Sequence, residues 1–491
     1  MDNQQLLENM KSVNDFQNEL THISNTWDHL ILLSQLGSTG MDMSQTKKNF
    51  NGLSAELTDH LAQATINKIK SEMKSKSQVA VDILVRNLFE RTADIGFLAT
   101  DDDIRAYLID FQILKKELTF HKDDEDDTEY RIVKQNIKNN LISIRKRFEE
   151  YVAKYSVYFE IVLFDTEGNC VANLDSSKKL TKTNSDIIEL AKITSEEYVE
   201  TYQYHDFVPN IEKSLVYTFK VTESNDSNEI IGYLSLCFRF KDEMEGIFSR
   251  LVNKTNKETI LLLDKERFVL ATSDKYHVPI GAKMEIELKE DMGITQFAAR
   301  DYIIKTSKTN GYEGFYGLGW YGHIMIPLES AFNAKNKEVD LDEKILTSIM
   351  QNEKLFKKDL LEIPVKAHHI QNELDRAVWN GNIAQRDSNS QGADFARSIL
   401  REVRKTGELT RSTFNISIKK LNETIISSLL DNAEFLATLS IDIMDRNLYE
   451  RANDCRWWAL TSKFSEILDK LEISRNDKKE ITQILEYINN L

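Results

Sequence analysis

Apolar side chains recur at three- and four-residue steps from Phe50 to about Ala99, and no proline interrupts them. This spacing predicts one amphipathic helix over the whole stretch. The apolar stripe consists of Leu53, Leu57, Leu61, Ala64, Ile69, Met73 and Ala80. At about 1.5 Å per residue the helix would be roughly 70 Å long, which is more than one globular core can cover. It therefore needs several packing partners or a second copy of itself.

After Val157 the apolar pattern changes to the shorter period of β-strands. A first set of predicted strands covers 158–165, 170–174, 214–221 and 230–240, with a helix-compatible stretch at 185–202. A second, smaller set covers 258–264, 268–272, 301–305 and 320–327. A helical pattern also covers 130–155, and it returns beyond residue 331. The acidic run 123–127 predicts a solvated loop, and 385–392 predicts a polar link.

A sixteen-residue segment of the predicted long helix occurs a second time, 360 residues further along the chain. Residues 79–94 (VAVDILVRNLFERTAD) align without a gap on 439–454 (LSIDIMDRNLYERAND). The identical pairs are Asp82/Asp442, Ile83/Ile443, Arg86/Arg446, Asn87/Asn447, Leu88/Leu448, Glu90/Glu450, Arg91/Arg451 and Asp94/Asp454. Long-range self-similarity of this kind indicates a duplicated module. The chain looks like one complete module followed by the opening of another, so we expect it to be the N-terminal part of a longer protein.

The polar residues of this motif allow two interpretations. Asp82, Arg86, Glu90 and Asp94 follow one another at four-residue steps and so share one helix face. On a solvated surface each pair would contribute only a few tenths of a kcal/mol. In a structural junction, an arginine would instead reach a neighbouring helix or sheet through charge-assisted hydrogen bonds. Both copies keep the same acid, base and asparagine at each place, which favours the junction.

Charge and composition exclude several classes of protein. The net charge of −16 over 491 residues argues against binding to nucleic acid or to anionic membranes. Three widely separated cysteines fit reduced thiols, the N-terminus lacks the pattern of a signal peptide, and no apolar run is long enough to span a membrane. We therefore expect a cytoplasmic protein with no membrane span.

Several segments resemble those of double-Cache sensor proteins, whose sheets are PAS-like. They are FDTEGNCVANLD at 164–175, IIGYLSLCFRF at 230–240 followed by KDEMEGIF, and LLLDKERFVLATSDKYHVPIG at 261–281. The two helix motifs are similar to those of bacterial Cache proteins that feed chemotaxis-type signalling, often through a CheW-like domain. The resemblance implies an α+β fold with two tandem PAS-like antiparallel sheets embedded in long α-helices. Cache domains usually lie between two membrane spans, and this chain departs from that pattern.

The predicted domain organisation follows from the patterns and the resemblance together. Residues 1–155 form an N-terminal helical region with the first motif, and 156–254 form the first, larger Cache lobe. Residues 255–335 form the second, smaller lobe, and 336–491 form a C-terminal helical region with the second motif.

A candidate ligand site lies in the tyrosine-rich segment 196–209 (EEYVETYQYHDFVP). Aromatic walls with one carboxylate suit a small ligand carrying an amine, such as an amino acid. The resemblance implies that the pocket lies under this segment and is closed by later strands. The predicted ligand-binding residues are Tyr198, Tyr202, Tyr204, Asp206, Tyr217 and Arg239. Alternatively, the tyrosines only cover the core, with their hydroxyls in water.

Catalytic patterns are missing from the sequence: there is no HExxH, no GxSxG and no nucleotide-binding loop. We expect no enzymatic activity, no cofactor and no metal. The sequence predicts a sensory module that binds a small molecule and signals by helix rearrangement to chemotaxis-type partners. The alternative is a structural adaptor with a vestigial pocket. Because the helical stripe exceeds one core, a homodimer through the long helices is also expected.

Overall fold

The computed structural model describes residues 3–36, 43–120, 128–178, 181–224, 229–253, 256–288, 292–333, 348, 358–384, 392–459 and 461–490. The acidic run 123–127 and all but the last residue of the predicted link 385–392 lie outside these ranges. The helices are α1 Asn3–Glu8, α2 Lys11–Leu36, α3 Ser44–Ala99, α4 Asp102–Phe120, α5 Thr128–Lys154, α6 Ile187–Ile193, α7 Phe240–Leu251, α8 Leu328–Ala331, α9 Lys358–Ala384, α10 Gly392–Trp458, α11 Ser462–Leu468 and α12 Arg475–Asn490. In the described part of the chain, no helix is both long and apolar enough to cross a lipid bilayer.

Ten strands form two antiparallel sheets of five strands each. The strands are β1 Tyr158–Phe164, β2 Cys170–Asn173, β3 Tyr198–Gln203, β4 Ser214–Thr222, β5 Ile230–Phe238, β6 Thr259–Leu263, β7 Val269–Thr272, β8 Gly293–Phe297, β9 Arg300–Lys308 and β10 Tyr321–Pro327. The first sheet has the order β2-β1-β5-β4-β3 and the second has the equivalent order β7-β6-β10-β9-β8. The fold is therefore α+β with two tandem PAS-like sheets among long helices, as predicted.

Two edge strands differ from the prediction. The stretch 185–202, predicted to be helical, contains the short helix α6 followed by the edge strand β3. In the second sheet, the edge strand β8 was not predicted. Each of these strands is hydrogen-bonded along one side to its inner neighbour, β4 or β9, so its polar positions can remain at the surface. A mixed polar sequence of this kind gives a weak strand signal.

The long helix α3 packs against several helices, among them α2 and α10, and against both sheets. It runs antiparallel to α2, with Trp27 against Phe50 and Ser24 bonded to Asn51. Side-chain hydrogen bonds between α3 and α10 join residues whose numbers differ by 357 to 361, so the two helices are parallel and in register. This difference is close to the spacing of the sequence repeat. Several elements of the same chain therefore cover α3, and one of them is α10, which carries the second motif copy.

The duplication extends past the sequence motif. Helix α4 begins at Asp102, directly after the end of α3, and α11 begins at Ser462, 360 residues later. The Ser462 hydroxyl donates a hydrogen bond to the Asp103 carboxylate at 2.6 Å, so the two helix breaks lie side by side.

The second sheet lies against the middle of α3 at very short distance. The Ser77 hydroxyl is 2.7 Å from that of Ser307 on β9, and the buried Lys76 ammonium bonds to Glu258, next to β6, at 2.7 Å. Gly322 on β10 allows this approach, because a Cβ at that position would lie 2.0 Å from the Ser77 carbonyl oxygen. Helix α3 is therefore the common support of both sheets.

Candidate functional site

The predicted ligand-binding residues are divided between different surfaces of the first sheet. Strand β3 places Tyr198 and Tyr202 on one face, because alternate side chains of a strand point to opposite sides. Tyr202 contacts Phe240 and Trp320, where the two sheets meet. The fully buried Tyr217 lies beside Tyr198 on the same face.

The other three predicted residues do not join this group. Tyr204 is exposed, and the Asp206 carboxylate accepts hydrogen bonds from the Thr183 hydroxyl at 2.6 Å and from the Asn184 backbone N–H at 2.7 Å. The exposed Arg239 donates to the carbonyls of Ser156 and Tyr158. The six residues therefore do not form one wall in this structure, because segment 196–209 supplies an edge strand instead of a cover.

The opposite face of the first sheet is filled by apolar side chains. Phe207 and Val208 pack there with Ile187 and Ile188 of α6. The buried His205 ring bonds to the hydroxyls of Ser185 and Thr201. Burial lowers the pKa of His205 to about 4, so the ring is neutral near pH 7. This face of the sheet is therefore a packed core, and the neutral His205 ring connects neighbouring segments within it by hydrogen bonds.

Glu200 is a half-buried acidic residue that the sequence interpretation missed. It lies between Tyr198 and Tyr202 on β3 and accepts a hydrogen bond from the Tyr217 hydroxyl at 2.8 Å. Burial raises the pKa of Glu200 to about 7. The alternation within YVETYQ would have placed Glu200 on the tyrosine face, had this segment been recognised as a strand.

We expect Glu200→Gln to reduce the pH dependence of stability. The folded-state pKa lies above the unfolded value of 4.5, so the folded protein binds more protons and loses stability as pH rises from about 4.5 to 7. Glutamine keeps the acceptor for Tyr217 without the charge. At pH 8 the variant should be more stable than the parent protein by about 2–3 kcal/mol, and near pH 4.5 the two should be similar. Urea unfolding at several pH values measures this difference.

The exposed Glu197, which precedes the same strand, provides the matched control. Glu197→Gln should follow the pH profile of the parent protein. Equal stability of Glu200→Gln and the parent protein at pH 8 would contradict the raised pKa of Glu200 in the folded protein.

The two motif copies face each other across the α3–α10 pair through reciprocal ion pairs. Arg451 donates to Glu90 at 2.6 Å, and Arg91 lies 3.4 Å from Glu450. Each ion pair joins the arginine of one copy to the glutamate of the other, and the two pairs use the same two positions of the repeat. The junction therefore has the self-complementary form of a two-fold interface. A single chain thus forms the kind of contact that usually joins two identical subunits.

A buried acidic group lies next to this pair. Arg91 bonds to Asp94 at 2.7 Å, and Asp94 also accepts a hydrogen bond from the Tyr158 hydroxyl at 2.9 Å. Its counterpart Asp454 accepts one from Tyr155 at 2.7 Å. Burial raises the pKa of Asp94 to about 7, although Arg91 acts in the opposite direction. Tyr158 begins β1, so the motif connects directly to the first sheet.

Two other motif residues contact the loop after β9 of the second sheet. Asp82 accepts hydrogen bonds from Thr309 and from the backbone N–H of Asn310, both at 2.9 Å, in the loop after β9. Arg86 lies over the Tyr312 ring and donates to Asn447. The structure places the motif at a junction of helices and sheets.

Glu243 of α7 joins the two motif copies. Its carboxylate accepts hydrogen bonds from Asn87 at 2.5 Å and from Arg446 at 2.8 Å. Helix α7 begins directly after β5 of the first sheet and precedes β6 of the second. A displacement of α7 relative to the helix pair must therefore change bonds to both copies.

A cavity of about 210 Å³ opens between α3, α7 and α10 at this junction. Its apolar wall includes Ile83, Ile247, Phe435, Leu439 and Ile443. Its charged lining consists of the five carboxylates of Glu90, Asp242, Glu243, Asp442 and Glu450 and the three guanidinium groups of Arg86, Arg250 and Arg446. The formal charge of the lining is therefore −2, and this favours a cationic ligand with an apolar body.

Two of these carboxylates are available to a ligand. Glu90, Glu243 and Glu450 accept bonds from arginines, whereas Asp242 and Asp442 have no hydrogen-bond or ion-pair partner among the described residues. The sequence interpretation named Asp442 in the motif but missed Asp242, Glu243 and Arg250. The four-residue steps from Asp242 through Gly246 to Arg250 were the available signal, since they place these residues on one face of α7. Within the described ranges, no group of three or more His, Cys, Asp or Glu side chains is placed to hold a metal ion.

Comparison with known proteins finds similar shapes among sensor domains. The sensor domain of the V. cholerae histidine kinase DctB is 12% identical with a TM-score of 0.36, and the likeness covers 54% of this chain and 98% of that domain. The ligand-binding domain of the Pseudomonas fluorescens chemoreceptor CtaA, in complex with L-isoleucine, is 12% identical with a TM-score of 0.34, covering 55% and 97%. That of the Pseudomonas aeruginosa PAO1 amino acid chemoreceptor PctB, with L-Arg, is 13% identical with a TM-score of 0.31, covering 51% and 99%. At these values the likeness concerns shape alone. No family model and no curated protein matches the chain.

Proposed function

We propose that this protein is a non-enzymatic, ligand-sensing signalling module in which a small molecule binds the cavity between α3, α7 and α10. The hydrogen bonds of Glu243 are the main support for this proposal. They connect α7, the helix between the two sheets, to both motif copies at once. A ligand that separates α7 from the helix pair would favour one of two helix arrangements over the other.

The ligand class follows from the lining of the cavity. Asp242 and Asp442 provide unpaired negative charge, and Phe435, Leu439 and Ile443 provide an apolar wall. A small amine or amino acid with an aliphatic or aromatic side chain satisfies both requirements. The tyrosine face of β3, with Glu200 at its centre, is less suitable, since Glu200 and Tyr217 already bond to each other.

The proposed output is chemotaxis-type signalling inside the cell. It is supported by the resemblance of the two helix motifs, which contain RNLFER at 86–91 and RNLYER at 446–451, to those of bacterial Cache proteins. A scaffold role without a ligand is the second candidate, and the apolar side chains that fill the outer face of the first sheet favour it.

Asp442→Asn tests the proposed site. Thermal unfolding is measured with a panel of free amino acids and of mono- and diamines, for the parent protein and the variant. A ligand present at 100 times its Kd should stabilise the parent protein by about 2.7 kcal/mol. The variant should lose at least half of this stabilisation, because the carboxylate that pairs with the amine is neutralised.

Asp445→Asn is the matched control, since Asp445 is an exposed acid on the same helix that does not line the cavity. It should respond to the ligand like the parent protein. Equal responses of Asp442→Asn and the parent protein would place the ligand elsewhere. No stabilisation by any member of the panel would favour the scaffold.

A further inference from the structure

A buried group of charged side chains joins the C-terminal ends of the two motif copies. This junction cluster consists of Arg91 and Asp94 of α3 and Glu450 and Asp454 of α10. These side chains are between 2% and 12% exposed. In its fully ionised form the cluster has three carboxylates and one guanidinium group, which gives an excess of two negative charges. Such an excess is costly in a buried site.

The neighbouring arginines of α10 do not remove this excess. Arg451 lies 3.2 Å from Asp454, but it also pairs with Glu90 and is 57% exposed. Arg446 lies 3.9 Å from the cluster and is bonded to the acid Glu243 of α7 at 2.8 Å. Because each arginine brings a further carboxylate with it, the excess of negative charge remains at two.

Three tyrosines attach the cluster to the first sheet. The Tyr158 hydroxyl of β1 donates to the Asp94 carboxylate at 2.9 Å, and the Tyr155 hydroxyl donates to Asp454 at 2.7 Å. The Tyr151 hydroxyl of α5 donates to the backbone carbonyl of Asp94 at 3.2 Å. One short segment that leads into β1 thus holds the same position of both motif copies.

Other charged or titratable groups on these packed elements have partners outside the cluster. Arg147 of α5 bonds to Asp101 at 2.7 Å. Tyr217 of β4, which lies near Tyr158, donates a hydrogen bond to Glu200 at 2.8 Å. Both pairs are complete without the cluster.

Helix α10 is the element that can respond to a change of charge in the cluster. Helix α3 packs against both sheets, whereas the second motif copy exposes Met444, Leu448 and Tyr449 to solvent. Repulsion within the cluster is therefore relieved most easily when the C-terminal part of α10 moves toward water.

We propose that the junction cluster is a pH-sensitive contact, which holds α10 against α3 and the first sheet while it carries one proton and releases the C-terminal part of α10 when that proton is lost. The proton belongs on Asp94, whose neutral carboxyl group still accepts the bond from Tyr158. Arg91 then serves Glu450 and Asp454. After ionisation of Asp94, three carboxylates compete for one guanidinium group. Since Glu450 also lines the cavity, the proton is a second input to the helix pair on which the proposed ligand acts.

The direction of the pH dependence follows from the two states. In the closed junction, burial raises the pKa of Asp94 to about 7, and the charges of Asp454 and Glu450 add to this effect, although Arg91 opposes it. In the released state Asp94 is in water, with its ordinary pKa of 3.8. The closed state therefore binds more protons between about pH 4 and 7, and it loses stability as the pH rises through this range. Above pH 7 the difference between the states stays constant.

Hydrogen exchange of the full chain, without any ligand, tests the contact. Protection factors, corrected for the intrinsic exchange rate at each pH, should fall for 448–458 by up to about 100-fold between pH 5 and pH 8 and then level off. Asp94→Asn imitates the protonated carboxyl group and should remove this pH dependence. Asp445→Asn neutralises an exposed acid of the same helix and should behave like the parent protein.

A second variant leaves Asp94 itself unchanged. Asp454→Asn removes one of the repelling charges, so the loss of protection should occur at lower pH than in the parent protein. Equal protection of 448–458 at pH 5 and pH 8 in the parent protein would overturn the proposal. An equal decrease in β9 and β10 would also overturn it, because the proton would then act on global unfolding. Since no ligand is present, these results do not depend on the proposed ligand site.

Discussion

Arg91→Met should lower the free energy of unfolding by about 3–5 kcal/mol. Arg91 is only 2% exposed and lies between the carboxylates of Asp94 and Glu450. Methionine approximately fills the space but leaves these acids without their cation in a buried site, where an unpaired charge is costly. Urea unfolding at pH 8 measures the loss. The loss should be smaller at pH 5, because Asp94 can then take up a proton and become neutral.

The duplication provides the matched control for this substitution. Arg451 occupies the same place in the second copy and pairs with Glu90, but its side chain is 57% exposed. Arg451→Met should therefore cost less than about 1 kcal/mol. Equal losses of unfolding free energy for the two variants would mean that burial does not determine how much the motif arginine contributes to stability.

Gly322→Ala should lower stability by about 3 kcal/mol, because the added methyl group has no space. Its carbon would lie 2.0 Å from the Ser77 carbonyl oxygen and 3.3 Å from Val81 Cβ. The carbonyl belongs to the backbone of α3, so relief requires the second sheet to move away from the helix. Chemical denaturation measures the loss of stability, and hydrogen exchange should show weaker protection of β9 and β10.

Gly52→Ala is the corresponding control on α3. No atom lies within 4 Å of the position that its Cβ would occupy, and alanine is the better helix former. This variant should be more stable than the parent protein by up to about 1 kcal/mol. Unchanged stability of Gly322→Ala would contradict the close contact of sheet and helix, and destabilisation by Gly52→Ala would contradict the open surroundings of Gly52.

The long helices α3 and α5 and most of the strands could be predicted from the sequence because their patterns are local. The three- and four-residue steps along α3 and the short apolar runs of β1, β4, β5, β6 and β10 depend only on neighbouring residues. The duplication was also visible, since eight identities in sixteen positions require no structure. The polar edge strands β3 and β8 were missed because their pairing partners, more than their own sequence, define them.

The sequence by itself thus determined the long helices α3 and α5, the helical character of the C-terminal region, the main strands and the repeat. Only the tertiary structure decided that the two repeat copies face each other, that Glu243 joins them, and that the tyrosines of segment 196–209 lie on different surfaces. Identical residues have unequal surroundings for the same reason, as Arg91 is enclosed while Arg451 is open to solvent. Burial, pKa and the space beside a glycine depend on which distant segments pack together. Such contacts do not produce a periodic pattern in the sequence, so they cannot be predicted from it.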